Sequence, residues 1–247
     1  MGESRIIVTA NQKGGVGKST LAMLLANYLS EQMGVQVGAI VDTDFQSSII
    51  EKRKEDLKTF QGTEQTPNYQ VVSYNLANHQ QIPAFVRQLR QTNLTYIIDT
   101  PGMINANGVF AFVALADYII CPFDYDSLTL SSTTQFLKFW DNFKATARKE
   151  SGYEVKTTMI LTPCMKPKKV GNKTETGVWE LVKDQFASLY HVSPEIPDSA
   201  VIRRVDTMSI TPAQLRVAGD CLYSIANIIF NPNTTEDNGK QTAEPNS

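Results

Sequence analysis

Short apolar stretches alternate with longer amphipathic stretches along most of this chain of 247 residues. The apolar stretches lack the regular polar positions of strands that have one face in water. We therefore predict strands that are buried on both faces, as in a mostly parallel sheet covered by helices on each side. The predicted strands are Ile6–Ala10, Val35–Val41, Gln70–Tyr74, Thr95–Ile98, Tyr118–Cys121 and Thr157–Leu161.

The longer stretches place apolar residues at helical spacing, three and four positions apart. Gly34 ends the first of these stretches, and Pro83 suits the first turn of another. The predicted helices are Ser19–Gln32, Ser47–Leu57, Ile82–Gln91, Thr129–Lys149, Thr176–Leu189 and Pro212–Phe230. Strands and helices that alternate in this way predict a doubly wound α/β fold with helices on both faces of the sheet.

No linker rich in proline, glycine or serine divides the chain, so we predict a single domain over residues 1–230. Residues 231–247 contain no aromatic or β-branched aliphatic residue, and we predict a disordered polar tail there. The longest apolar run, Val109 to Ala116, is much shorter than the about 20 residues that cross a membrane. The tail also lacks the apolar stripe of an interfacial anchor. We expect a soluble, cytoplasmic protein without a membrane partner.

The overall composition is that of a globular protein, with 42% hydrophobic and 19% charged residues. The formal net charge is −2, so any binding to nucleic acid requires a local basic patch. Cys121, Cys164 and Cys221 lie far apart in the sequence. This spacing argues against a disulfide scaffold and against a metal site with four thiolates.

A glycine-rich loop connects the first predicted strand to the first predicted helix, with the sequence NQKGGVGKST from Asn11 to Thr20. Strand, loop and helix are the context that a phosphate-binding loop requires. Glycines turn the backbone amides inward, and the helix N-terminus favours the same anion. Lys18 would contact the β- and γ-phosphates, and Ser19 would bind Mg²⁺. The alternative is a loop that only turns the chain. The predicted nucleotide-binding residues of the loop are Lys13, Gly14, Gly15, Val16, Gly17, Lys18, Ser19 and Thr20.

Two further predicted strands end at carboxylates. Asp42 and Asp44 follow the second strand, and Asp99 ends the strand before Thr100-Pro101-Gly102. Asp99 has the position of the Walker B carboxylate, which holds Mg²⁺. Asp44 could instead cap the helix that begins near Gln46.

The string NQKGGVGKST resembles the ParA/MinD group of deviant Walker A ATPases, and the plasmid- and chromosome-partitioning ParA branch in particular. The resemblance implies that Lys13 reaches across a dimer to the nucleotide of the partner subunit; the alternative is a solvated lysine. It also implies that Asp44 orients the attacking water, that Asp42 helps to order the Mg²⁺ shell, and that Gly102 offers its amide to the γ-phosphate. In the family pattern D-x-D-P-Q, Phe45 replaces the proline.

The resemblance extends to a loop beside the base and ribose. Ile196-Pro197-Asp198 matches this loop, so Pro197 and Asp198 are expected to form a wall of the nucleotide site. The family often recognises adenine with an asparagine–arginine pair after the preceding strand. This chain has Thr162-Pro163-Cys164 at that place.

The resemblance implies a partitioning ATPase that uses ATP and Mg²⁺. ATP would induce a homodimer that binds DNA nonspecifically, and a ParB-like or other partner would stimulate slow hydrolysis. Residues 138–173 contain nine Lys or Arg and three Asp or Glu, which is a basic region, although such regions are usually solvated faces. The candidate DNA-binding residues are Lys166, Lys168, Lys169, Arg203, Arg204 and Arg216.

Two other functions remain open. The first is a metabolic enzyme on the same scaffold, either an ATP-dependent ligase or a reductase of the iron-protein type. The segment Pro101–Phe110 contains no cysteine, which counts against a reductase with a shared cluster. The second is a binding module with a decayed site. Lys18, Ser19, Asp44 and Asp99 are all present, which disfavours decay.

Overall fold

A computed structural model describes residues 3–102, 107–164 and 173–231. The strands of this part are β1 (Arg5–Thr9), β2 (Val37–Asp42), β3 (Gln70–Ser73), β4 (Thr95–Asp99), β5 (Tyr118–Phe123), β6 (Thr158–Pro163) and β7 (His191–Val192). The helices are α1 (Lys18–Gln32), α2 (Ser48–Thr59), α3 (Ile82–Arg90), α4 (Asn107–Leu115), α5 (Ser127–Ser151), α6 (Lys173–Ala187), α7 (Ala200–Arg203) and α8 (Pro212–Phe230). A 3₁₀ helix, Leu76–Gln81, precedes α3.

The strands form one parallel sheet in the order β3-β2-β4-β1-β5-β6-β7. Side chains of β1 alternate between two fully buried clusters: Ile7 belongs to one, and Ile6 and Val8 belong to the other. Helices α1, α2, α7 and α8 contribute to the first cluster, and α3 to α6 contribute to the second. The predicted doubly wound α/β fold, with strands buried on both faces, is therefore confirmed.

The sequence analysis did not assign the apolar run that contains α4. Val109, Phe112 and Val113 of this helix are buried, and Phe110 packs edge-on against Phe139 and Phe143 of α5. Because α4 contacts other elements on most of its surface, its sequence lacks the polar stripe by which an amphipathic helix is recognised. The two-residue strand β7 was also not predicted, because it is too short to give a pattern.

The register of the sheet places three polar side chains at one edge. Asp99 at the end of β4 is the register partner of Thr9 on β1 and of Asp42 on β2. Ligand sites in open parallel sheets lie beyond the carboxyl ends of the strands. The topology alone therefore places the predicted phosphate loop and the predicted carboxylates together. No helix in the described ranges is long and apolar enough to cross a membrane. Residues 232–247 of the predicted tail lie outside the described residues.

A buried polar network fixes α2 to the segment before α8. Asp56 accepts hydrogen bonds from the backbone N–H and the Oγ1 of Thr207, both at 2.8 Å, and from Lys52 Nζ at 2.6 Å. Arg53 donates to the carbonyl of Thr207 at 3.0 Å and lies over the ring of Tyr69. Removal of the Asp56 carboxylate would leave these buried donors without their acceptor.

We expect Asp56→Ala to lower the free energy of unfolding by about 3 kcal/mol, because it breaks a buried charged network. For a chain of this size, the melting temperature should fall by roughly 6–12 °C. The control is Glu51→Ala on the same helix, which removes an exposed ion pair with Lys54 and should cost less than about 1 kcal/mol. Equal melting temperatures for the two variants, measured by calorimetry, would contradict this account of α2.

Candidate nucleotide-binding site

The phosphate loop connects β1 to α1 with two glycines in the left-handed region. Gly15 has φ 73° and Gly17 has φ 95°, which L-residues with a side chain rarely adopt. Gly17 is the N-cap of α1, and its carbonyl accepts the first helical hydrogen bond from Leu21 at 2.8 Å. The positive end of a long helix is thus directed at the space enclosed by the loop.

Lys18 lies inside this loop. Its Nζ donates to the backbone carbonyl of Lys13 at 3.0 Å, and only 7% of the residue is exposed. Burial lowers the pKa of the Lys18 ammonium, while Asp99 and Asp44 act in the opposite direction. An ammonium has three donors, and the loop engages one of them here. The side chain is therefore held where an anion within the loop would meet its charge.

Asp99 is the most constrained carboxylate of the site. It is fully buried, Ser19 Oγ donates to its Oδ2 at 2.6 Å, and Thr9 Oγ1 donates to its Oδ1 at 2.7 Å. Burial raises the pKa of Asp99 to about 6, although the hydrogen bonds from Ser19 and Thr9 and the charge of Lys18 oppose this shift. A nearby cation would favour the ionised form.

The donor atoms at Asp99 suit a magnesium ion. A hydroxyl and a carboxylate are hard oxygen ligands, and Mg²⁺ usually binds one or two protein groups together with phosphates and water. In the described part of the chain, no group of three or more His, Cys, Asp or Glu residues could hold a metal ion alone. The residues therefore fit Mg²⁺ that is bound together with a nucleotide.

Asp42 organises the loop that contains Asp44. Its Oδ2 accepts from the backbone N–H groups of Ile49 and Ile50 at 3.0 and 3.2 Å, so Asp42 caps α2. Its Oδ1 accepts from the N–H of Asp44 at 3.1 Å. The capping role that the sequence left open for Asp44 thus belongs to Asp42. Burial raises the pKa of Asp42, and these backbone hydrogen bonds oppose the rise.

Asp44 faces the phosphate loop across a cleft of about 570 Å³. Its Oδ1 accepts from the N–H of Gln46 at 3.0 Å, and the neighbouring Phe45 side chain is fully exposed. The cleft is lined by Gly14, Gly15, Gly17, Lys18, Ser19, Thr20, Asp44, Gln46, Ser48, Thr100, Pro101 and Gly102. The structure therefore brings Asp44 and Gly102 into one cleft with the phosphate loop, as the sequence predicted.

Gly102 packs directly on the phosphate loop. A Cβ atom at this position would lie 2.7 Å from the backbone nitrogen of Gly14 and 2.8 Å from its Cα. Only glycine permits this approach of two backbones. The backbone at residues 100–102 therefore packs directly against the phosphate loop.

A second pocket of about 320 Å³ shares Gly15, Gly17 and Thr20 with the cleft. It also includes the two predicted wall residues, Pro197 and Asp198. The other lining residues are Val16, Leu21, Leu24, Cys164, Ile196, Ile202 and Arg203. Burial raises the pKa of the Cys164 thiol, which keeps that part of the wall uncharged. An apolar pocket beside a phosphate cleft suits a nucleobase, and for this reason we refer to this second pocket as the base pocket.

Thr9 and Asn11 were not predicted to contribute to the site, and Arg203 was predicted only as a DNA-binding residue. Thr9 donates to Asp99, and Arg203 lines the base pocket. Asn11 is fully buried and donates from Nδ2 to the carbonyl of Pro122 at 2.8 Å and to Thr133 Oγ1 at 2.9 Å. The sequence did offer a signal for Thr9, because it is a polar residue near the end of an apolar strand.

The candidate DNA-binding residues are only partly described. Lys166, Lys168 and Lys169 lie outside the described residues. Arg204 and Arg216 are exposed, on α7's C-cap and on α8. Arg203 forms an ion pair with Asp198 at the rim of the base pocket.

The fold and the loop define a P-loop nucleotide-binding α/β protein. Residues 7–198 match the family model described as the CobQ/CobB/MinD/ParA nucleotide binding domain, and the chain belongs to this family. This agrees with the predicted ParA/MinD resemblance. No curated protein matches the chain in sequence.

Several solved structures share the fold. A plasmid partition protein from Borrelia burgdorferi bound to AMPPNP is 19% identical with a TM-score of 0.62, covering 91% of this chain and 99% of that one. McdA from Cyanothece in complex with ATP is 16% identical with a TM-score of 0.65, covering 92% and 96%. Cobyrinic acid a,c-diamide synthase from Mycobacterium smegmatis, with an ATP analog and magnesium, is 16% identical with a TM-score of 0.64, covering 93% and 96%.

We expect Gly102→Ala to weaken nucleotide binding and to lower the free energy of unfolding by about 1–3 kcal/mol, because the new methyl group would force the segment off Gly14. The control is Gly177→Ala within α6, where a Cβ meets nothing within 4 Å and should stabilise the helix by about 0.5–1 kcal/mol. Nucleotide titration and thermal melting of both variants provide the test. Wild-type affinity in Gly102→Ala would show that the close packing is dispensable.

Proposed function

We propose that this protein is a Mg²⁺-dependent ATPase of the partitioning type. ATP would induce a homodimer, the dimer would bind DNA without sequence preference, and a ParB-like or other partner would stimulate slow hydrolysis and release. The observation that supports this most is that Lys18, Ser19 and Asp44 line one cleft at the carboxyl edge of the sheet, with the buried Asp99 hydrogen-bonded to Ser19. Family membership and the partition proteins among the structural neighbours support the same function.

Each side chain has a role that follows from its position. Lys18 would neutralise the β- and γ-phosphates, and Ser19 and Asp99 would hold Mg²⁺, which supplies further positive charge at the phosphates when bound. Asp44 would hold a water in line with the γ-phosphate, and its half-buried position in the wall of the cleft allows this. Asp42 is a positioning residue, because its carboxylate fixes the backbone of Asp44 and the start of α2.

The second candidate function is a metabolic enzyme that couples ATP to amide or ligase chemistry. The similarity to cobyrinic acid a,c-diamide synthase, at TM-scores comparable to those of the plasmid partition protein, favours it. Such an enzyme needs an acceptor substrate and has no need of DNA. The two functions therefore differ in what should stimulate turnover.

The two lysines of the loop should have separable effects. We expect Lys18→Ala to abolish nucleotide binding by the monomer, because it removes the buried charge inside the loop. Lys13→Ala should preserve monomer binding but lose ATP-dependent dimerisation, hydrolysis and DNA binding together. Charge that neutralises two facing nucleotides at a water-excluded interface has a larger effect than charge on an open surface. Light scattering and nucleotide titration on both variants give the measurement.

DNA binding provides a second test of the proposed partitioning function. It should require ATP and weaken steeply with salt, since each neutralised phosphate adds about −0.9 to the slope of log affinity against log salt. Arg204→Ala and Arg216→Ala should each reduce that slope, because both side chains are exposed. A Lys13→Ala variant that dimerises and hydrolyses ATP normally would contradict the partitioning function. Equal DNA affinity with ADP and ATP would do the same.

Asp44 should control hydrolysis without controlling binding. We expect Asp44→Ala to bind ATP with near wild-type affinity but to lose steady-state turnover by at least about 100-fold, within the range typical of lost acid–base or positioning groups. The trapped ATP dimer should then persist in size-exclusion chromatography. Phosphate release assays measure the turnover, and Gln46→Ala on the same loop is the comparison. Unchanged turnover in the Asp44 variant would remove the role assigned here.

A further inference from the structure

The rim of the base pocket contains an ion pair between Asp198, which the resemblance places in the wall of the site, and Arg203, to which the resemblance gives no role there. Arg203 Nε donates to Asp198 Oδ1 at 2.9 Å, and its Nη2 donates to Oδ2 of the same carboxylate. Both residues line the pocket. The Asp198 side chain is 13% exposed, whereas that of Arg203 is 64% exposed. The Asp198 carboxylate is thus part of the pocket wall, and the Arg203 guanidinium lies at the opening of the pocket.

This arrangement fixes the plane of the guanidinium. A bidentate pair holds both groups in one plane and restricts a side chain that would otherwise sample many rotamers. Ser199 strengthens the support, because its side chain accepts from the N–H of Val201 and caps the short helix that ends at Arg203. Arg203 therefore presents a pre-oriented, planar cation beside an apolar pocket.

The pair also removes an electrostatic obstacle. An unpaired carboxylate at Asp198 would stand near the phosphate cleft and repel a polyanionic ligand. Each oxygen of Asp198 instead accepts an N–H from Arg203, which neutralises its charge. Apart from Thr20, the remaining side chains of the pocket wall are apolar, among them Val16, Leu24 and Ile196, or the uncharged thiol of Cys164. Such a wall packs against a ring but offers few polar groups to orient it.

We propose that Arg203, held in place by Asp198, is the residue on which the base of the nucleotide stacks, and that it acts in nucleotide binding rather than in DNA binding. The assignment rests on the proposed nucleotide site and adds the residue that fixes the base within it. Arginine stacks on aromatic faces through its planar guanidinium, which lysine cannot do. Arg204, the next residue, is exposed and does not line the pocket.

The experiment compares ligands with and without a base. Calorimetry on the full chain, with Mg²⁺ and without DNA, measures the affinities for ADP and for pyrophosphate. ADP avoids both hydrolysis and ATP-dependent dimerisation, so the result does not depend on either. We expect Arg203→Ala to weaken ADP binding by about tenfold, within the range of a lost base stack. Pyrophosphate binding should weaken clearly less than ADP binding, because pyrophosphate meets only the charge of the unpaired Asp198 carboxylate. Retained pyrophosphate binding also shows that the variant is folded.

Two further variants separate stacking from charge. Arg203→Lys keeps the positive charge but lacks the planar guanidinium, so it should lose nearly as much ADP affinity as Arg203→Ala. Arg204→Ala removes the same charge one residue further on, and it should change DNA affinity but not ADP affinity in the absence of DNA.

Three outcomes would overturn the assignment: wild-type ADP affinity in Arg203→Ala, equal losses for ADP and pyrophosphate, or full rescue by lysine. A wild-type protein that binds neither ligand would instead overturn the proposed nucleotide site, and the assignment with it.

Discussion

The site is organised around one buried carboxylate. Asp99 has no exposed surface, and ionising it there is costly unless donors and cations compensate. Thr9 from β1 and Ser19 from α1 supply hydrogen bonds, and Lys18 supplies charge. The same residue thus ties together the strand before the phosphate loop and the helix after it. Because the register makes Thr9 the neighbour of Asp99, this contact follows from the sheet itself.

Close backbone packing and hydrogen bonds connect the segments around this site. Gly102 touches Gly14, and Thr43 Oγ1 donates to the carbonyl of Asp99 at 2.8 Å. The segments after β2 and β4 are therefore attached to the phosphate loop. Helix α2 extends the connection to the segment near Thr207 through Asp56. These contacts link the phosphate loop, the segments after β2 and β4, α2 and the segment near Thr207.

Much of this could be predicted from the sequence, because the strong signals are local. A strand, three glycines, Lys18 and Ser19 specify the loop, and apolar strands that end in Asp42 and Asp99 specify the edge of the sheet. Features that depend on tertiary contacts could not be predicted in this way. Helix α4 has no polar stripe because other elements surround it. The cap of α2 comes from Asp42, six residues before the helix begins, and no local capping pattern has that spacing.

The arginines near residue 203 show why charge patterns in a sequence are ambiguous. Arg203 and Arg204 are the same residue type and are adjacent in the sequence, so a count of charges makes both of them candidates for DNA binding. The structure separates them, because only Arg203 is directed toward Asp198 and the base pocket. A paired guanidinium adds little net charge to the surface, and therefore attracts a phosphate backbone less than a free one does. The side chain with which a basic residue is paired therefore decides, more than its charge does, which ligand it can bind.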